Sequence, residues 1–222
     1  MIVIIHRMFY IKKMILTHRM ARELVEPDYD ELYRYAGFSK HALADFNDNQ
    51  IKELADQAVG AISKCMNCRA VYTEFPLEFL PEETICFAGK QLQSHHLMLN
   101  LHDCHAVYLI AATLGPAVDK LIQKESRINP AQAVMMQAAG AMFIEKYVDL
   151  LQDFLASQQE EAGCLLRPRY SPGFGDVPLA VQKTFFELLE CHKNLALTLN
   201  DSLIMSPEKS VTAFIGIYKK DN

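Results

Sequence analysis

Ten residues near the C-terminal end, Arg169-Tyr170-Ser171-Pro172-Gly173-Phe174-Gly175-Asp176-Val177-Pro178, gather one arginine, two glycines, two prolines and two aromatics. Each type brings a distinct capability. The arginine offers a planar fork that matches a carboxylate or a phosphate. Glycine lets backbone approach a ligand closely or turn with positive φ. An aromatic ring between two glycines presents a flat face to a base or a cation. The run opens into a helical stretch, Leu179 to Leu189. The first N–H groups of such a helix have no partner within it and point back at the preceding loop. Together these features predict a loop that holds a small, flat, partly anionic molecule. The competing reading is a Pro/Gly turn that joins two elements and binds nothing.

Other groups carry weaker signals. Glu145 and Asp149 are four apart in a helical stretch and so share a face. They suit a ligand ammonium or sulfonium, or else a solvated helix face. Thr113-Leu114-Gly115-Pro116 falls at a strand-to-helix junction, where α/β units often bind ligands. A tight connection that needs glycine is the favoured reading there. Cys65-Met66-Asn67-Cys68 is a lone C-x-x-C, with His95, His96, His102 and His105 further along. A structural zinc site brings two close ligand pairs at clean spacing. That pattern is missing, so no metal is expected. There is no nucleophile elbow, P-loop, dinucleotide fingerprint or zinc-protease motif. Nor is there an Asp-x-His-x-x-Gly for a corrinoid; His41, after Phe38-Ser39-Lys40, does not fit it.

These residues need elements to position them. Asp28 to Ala36 reads as a short helix between Pro27 and Gly37. Asn47 to Met66 is a stronger one, with Ile51, Leu54, Ala55, Ala58, Val59 and Ile62 on one face. Arg69 to Phe79 alternates as a half-buried strand, with Pro76 at an edge or bend. Thr84–Phe87 reads as a short strand and Lys90–His96 as a short helix. His105–Thr113 is nearly all apolar and reads as a central strand. A helix starts at Gly115-Pro116 and runs to about Glu125; the longest runs from Pro130 to about Ser157. Within it, Ala138, Ala139, Gly140 and Ala141 leave room for close packing. Strand candidates close the chain at Ala196–Leu199, Ser202–Met205 and Val211–Tyr218. The pattern is α+β in one compact unit.

Composition bounds the function. The 222 residues allow a real core, and 50% apolar with 22% charged is ordinary for a globular chain. A formal net charge of −5 without a basic block argues against a nucleic-acid surface. Six irregularly spaced cysteines without a secretory signal favour reduced thiols and a cytoplasmic location. The apolar stretches of the first twenty residues are too short to span a bilayer.

The Arg169–Pro178 run resembles the arginine-x-x-proline-glycine-aromatic motif of the activation domain of cobalamin-dependent methionine synthase. A second run, Leu203-Ile204-Met205-Ser206-Pro207-Glu208-Lys209-Ser210-Val211-Thr212-Ala213-Phe214, is similar to the strand that follows in that family. The spacing between the runs fits as well. Ala112–Pro116 and the helix around Ala138–Glu145 look like the small stand-alone bacterial members. The resemblance spans about residue 24 to the end. It implies an α+β fold with a mixed or antiparallel twisted sheet and long packed helices. It also implies S-adenosylmethionine as ligand, with Arg169 on the methionyl carboxylate, Ser171 and Gly173 beside the adenosyl part, and Glu145 near the amino end. Phe174 stands where the family carries a tyrosine; its ring can stack but cannot donate a hydrogen bond. Asp176 replaces a small apolar residue.

The resemblance further implies a role in reductive reactivation. Such a domain presents S-adenosylmethionine to an oxidised cobalamin while a flavodoxin-type donor supplies an electron. The chain has no homocysteine, folate or cobalamin module, so a cobalamin-dependent methionine synthase lacking its activation domain, or another corrinoid protein, would supply the cofactor in trans. The alternative is a non-catalytic S-adenosylmethionine- or corrinoid-protein-binding module that serves another corrinoid methyltransferase. Residues 1–23 read as an extension from a mis-called start, an edge strand or an interfacial segment. The first is favoured because the resemblance begins only after them, so residues 24–222 are taken as the domain.

Overall fold

The computed structural model describes residues 14–38 and 49–220. Its centre is the apolar run already marked as a strand. β1 (Leu16–Arg19), α1 (Tyr29–Tyr35) and α2 (Asn49–Cys65) lead into β2 (Arg69–Pro76), then β3 (Glu78–Leu80), β4 (Thr84–Phe87), β5 (Lys90–Gln93) and α3 (His95–Asn100). The central strand β6 (Cys104–Thr113) follows, then α4 (Pro116–Glu125), α5 (Pro130–Glu160) and β7 (Cys164–Leu166). A 3-10 turn (Leu179–Val181), α6 (Gln182–Leu188), α7 (Cys191–Leu195), β8 (Thr198–Leu199), β9 (Met205–Ser206) and β10 (Ser210–Lys219) complete the chain.

Five strands form one antiparallel sheet in the order β1-β2-β6-β10-β7. Period-2 alternation along β6 divides two cores. Ala106, Tyr108, Ile110 and Ala112 face α2, α4 and α5. Val107, Leu109 and Ala111 face the other way, toward β4, α3, α6 and α7. A strand buried on both faces reads as a continuous apolar run, which is why its sequence lacks polar neighbours. The helix α5 is the spine of the first core: Phe143, Tyr147, Val148, Leu151 and Leu155 are fully buried. Truncating Phe143 to alanine is expected to cost about 3–5 kcal/mol. The fold is α+β with an antiparallel sheet and helices packed on it, as expected.

Several local expectations change. Of the three readings open for the N-terminal stretch, Leu16–Arg19 takes the edge strand, paired with Arg69–Tyr72. His18 on this strand stacks on Tyr147 of α5, with Nδ1 3.1 Å from its hydroxyl. Lys90–His96 is not a helix. Ala88 and Gly89 both take positive φ (49° and 71°), the backbone of a tight hairpin turn, and Lys90–Gln93 returns as β5. The helix begins later, where Ser94 accepts the Leu97 amide at 3.1 Å. β2 ends at Pro76, and Glu78–Leu80 belongs to a separate three-stranded sheet with β4 and β5. The expectations at Asn47, Asp48 and His41 lie outside the described residues.

Candidate functional site

The loop after β7 stays tied to β10, first by the Arg167 amide donating to Gly216 O at 2.9 Å and then by a bridge at Tyr170. Tyr170 exchanges backbone hydrogen bonds with Phe214 of β10, both at 2.8 Å. Tyr170 packs on the second core beside Phe214. Successive side chains of extended backbone alternate in direction, so Arg169 points to the opposite side, toward α5. There its Nη2 donates to Glu145 Oε2 at 2.7 Å and its Nη1 to Asp149 Oδ1 at 2.5 Å. The helical spacing of four that puts Glu145 and Asp149 on one face lets one guanidinium reach both.

Burial works against the charge of Arg169, but the bonds it donates to Asp149 and Glu145 outweigh it and raise its pKa. The arginine is the most enclosed of the three, with its side chain 25% exposed against 38% for Glu145 and 53% for Asp149.

These residues form one wall of a pocket of about 340 Å³ between α1 and α5, lined also by Asp28, Glu31, Arg34, Tyr35, Met142 and Lys146. Met142, Glu145, Lys146 and Asp149 are one face of α5 at spacings of three and four. Asp28 caps α1, accepting the Glu31 amide at 3.1 Å, and its own amide meets Met142 Sδ at 3.3 Å. Arg34 pairs with Glu31 and lies 4.2 Å from the centre of the Tyr35 ring. Burial, then the charge of Glu145, raises the Tyr35 pKa, so the phenol keeps its proton. Four carboxylates face three cations across this space. Such a mixed lining suits a zwitterion that carries both a carboxylate and an ammonium. Asp28, Arg34 and Tyr35 were not singled out in the sequence. The only signal there was an N-cap type, Asp28, three residues before Glu31.

The structure brings Arg169 and Glu145 together in this pocket. Ser171, Gly173 and Phe174 do not line it. They form a compact turn alongside: the Phe174 amide donates to Ser171 O at 3.2 Å, Gly173 to Val177 O at 2.9 Å, and Val177 to Phe174 O at 3.0 Å. The amides of Gly173, Phe174 and Val177 are therefore spent inside the turn. The helix after it also starts differently from expectation, as a 3-10 turn whose Val181 amide returns to Pro178 O at 3.0 Å. Gly173 takes φ +91°, and a Cβ there would lie 3.2 Å from Leu179 Cδ1. The Phe174 ring stands 68% exposed at the tip.

Asp176, the departure from the family pattern, has a structural role. Its carboxylate accepts the Ser94 hydroxyl, the His95 amide at 2.7 Å and the His96 amide at 3.3 Å. It ties the loop to the start of α3, while Val177 sinks into the second core. The bond from Ser94 and the backbone amides hold the Asp176 pKa below its ordinary value.

The other candidates resolve into packing. The Gly115 amide donates to Thr113 Oγ1 at 3.0 Å, and Ser210 Oγ lies 2.8 Å from both Thr113 Oγ1 and the Pro207 carbonyl. The junction thus satisfies itself. Lys209 of the second motif lays its aliphatic stem across Gly140, where a Cβ would come within 2.9 Å of Cε. This is the close approach expected of the small residues in α5. The six cysteines are free, and burial pushes Cys68 up to about 11. His95 pairs with Glu83 and His102 with Asp103. Among the described residues no group of three or more His, Cys, Asp or Glu is placed to hold a metal ion. No helix among them is long and apolar enough to cross a membrane.

No family model matches the sequence, and no curated protein matches it. Solved structures do. One is the MetH reactivation domain bound to AdoHcy, which aligns with a TM-score of 0.69 at 15% identity, covering 95% of this chain and 80% of that one. The two share an α+β fold.

Proposed function

We propose that this chain binds S-adenosylmethionine and serves the reductive reactivation of a cobalamin-dependent methionine synthase, acting in trans. The observation that carries the reading is the Arg169 fork, set on the arginine-x-x-proline-glycine-aromatic loop and aimed into a mixed-charge pocket. The shared fold supports it, since the reactivation domain it resembles holds S-adenosylhomocysteine. The amino-acid end of the ligand enters the pocket, with its carboxylate on Arg169 and its ammonium toward Glu145. The adenosyl part lies along the Ser171–Phe174 turn, whose exposed ring offers a stacking face.

The chain's own part is binding and orientation. A cobalamin on the partner supplies the methyl-accepting metal, and an electron donor of flavodoxin type supplies the reducing equivalent. The test is reconstitution: a methionine synthase without its activation domain, oxidised to the inactive form, should regain turnover on addition of this protein, S-adenosylmethionine and a reductant. Failure to restore turnover with binding intact would redirect the module to a different corrinoid protein.

A further inference from the structure

We infer that Asp149 is an internal competitor for the ligand, holding part of the Arg169 fork that a substrate carboxylate must take over. The inference rests on the reading of the pocket as the seat of an amino-acid ligand and names what sets its affinity there. A guanidinium binds a planar carboxylate best through two parallel N–H bonds to one partner. Arg169 is not used in that way. It spends Nη1 on Asp149 and Nη2 on Glu145, one bond to each of two carboxylates. A ligand carboxylate that arrived without displacing either would be a third anion on a single cation.

The two carboxylates are not equivalent. Glu145 is the more enclosed, stands beside Tyr35 and raises that phenol's pKa. Asp149 lies one turn further along α5, with its side chain 53% exposed. A half-exposed ion pair contributes little and exchanges readily with solvent. Asp149 is therefore the partner that yields. Glu145 remains to face the ligand ammonium, and Asp149 swings toward water. In the free protein Asp149 holds the Arg169 side chain extended into the pocket, so Asp149 is a positioning residue whose cost is paid in affinity.

The test is calorimetric titration of S-adenosylhomocysteine into the wild-type protein, Asp149→Asn and Asp149→Ala, repeated with methylthioadenosine, which lacks the amino-acid end. S-adenosylhomocysteine is chosen because it carries no sulfonium charge for Asp149 to attract. Both variants should bind it about two- to fivefold tighter than wild type, with methylthioadenosine affinity unchanged. Binding by the variants alone would support the inference more strongly. If wild type binds and the variants bind equally or more weakly, the inference is overturned and the pocket assignment stands. A gain for both ligands would mean a general charge effect and would also overturn it. If neither wild type nor variants bind at saturating ligand, the pocket assignment fails and the inference with it. Asp149 lies at the helix surface, so circular dichroism and melting temperature should match wild type in both variants.

Discussion

Arg169 Nη2 and Glu145 Oε2 lie 2.7 Å apart although 24 residues separate them in sequence. One residue sits on a loop pinned to β10 by Tyr170 and the other on the longest helix, so their meeting registers the loop against α5. The pair is a test of geometry as much as of charge. It exists only if the Tyr170–Phe214 bridge turns Arg169 away from the second core.

Asp176 is expected to stabilise the loop through its charge. Its folded-state pKa is depressed, so the contribution is complete above the ordinary carboxylate range and is lost as pH falls through the folded value. Asp176→Asn should melt below wild type at neutral pH, and the gap should close at pH values below the folded pKa. Melting curves of both proteins from pH 7 downward through the acid range check this. A gap of equal size throughout would mean that shape, not charge, matters at this position.

Gly140 and Lys209 should be energetically coupled. Glycine inside a helix costs about 1 kcal/mol relative to alanine. Gly140→Ala recovers that amount only by pushing aside the Lys209 stem, which lies within 3.3 Å of the new Cβ. In a Lys209→Ala background the stabilisation should appear in full, about 1 kcal/mol, and in wild type it should be smaller or reversed. Urea unfolding of the four proteins measures the difference. Equal effects in the two backgrounds would contradict the packing.

The sequence makes much of this legible, and its misses share a cause. The central strand and the long helix announce themselves, one by an unbroken apolar run and the other by Pro130 at its first turn. The short helix Cys191–Leu195 does not. It is bracketed by Glu190 and Ala196, both in left-handed conformations (φ 47° and 57°) that a sequence reader assigns to glycine or asparagine. Ala88 hides the β4–β5 turn in the same way. β7 is three residues long, too short for any period. In the site, Arg169, Glu145 and Asp149 are readable from motif and spacing. Arg34 and Tyr35 are not, because they reach the pocket only through the docking of α1 on α5, which no local pattern encodes.

Phe174 separates ligand contact from stability. Its ring is 68% exposed, so Phe174→Ala should change unfolding free energy by no more than about 0.5 kcal/mol. Ligand affinity should fall several-fold if the ring stacks on the adenine. Phe174→Tyr keeps the stacking face and should bind as wild type does. Reactivation assays of Phe174→Tyr add a second readout. A rate gain of tenfold or more, about 1.4 kcal/mol in barrier, would show that the hydroxyl missing here has a role beyond shaping the loop.

The most direct test of the central claim is calorimetry with S-adenosylmethionine on wild type and Arg169→Ala. Wild type should bind with micromolar-to-millimolar affinity. Arg169→Ala removes the cation that receives the carboxylate and should cost about 2–3 kcal/mol, on the order of 30- to 150-fold in Kd. Its melting temperature must first be compared with wild type, since Glu145 and Asp149 are left facing each other. A flat wild-type titration at saturating ligand, or an Arg169→Ala protein that is folded and binds with unchanged affinity, would contradict the account.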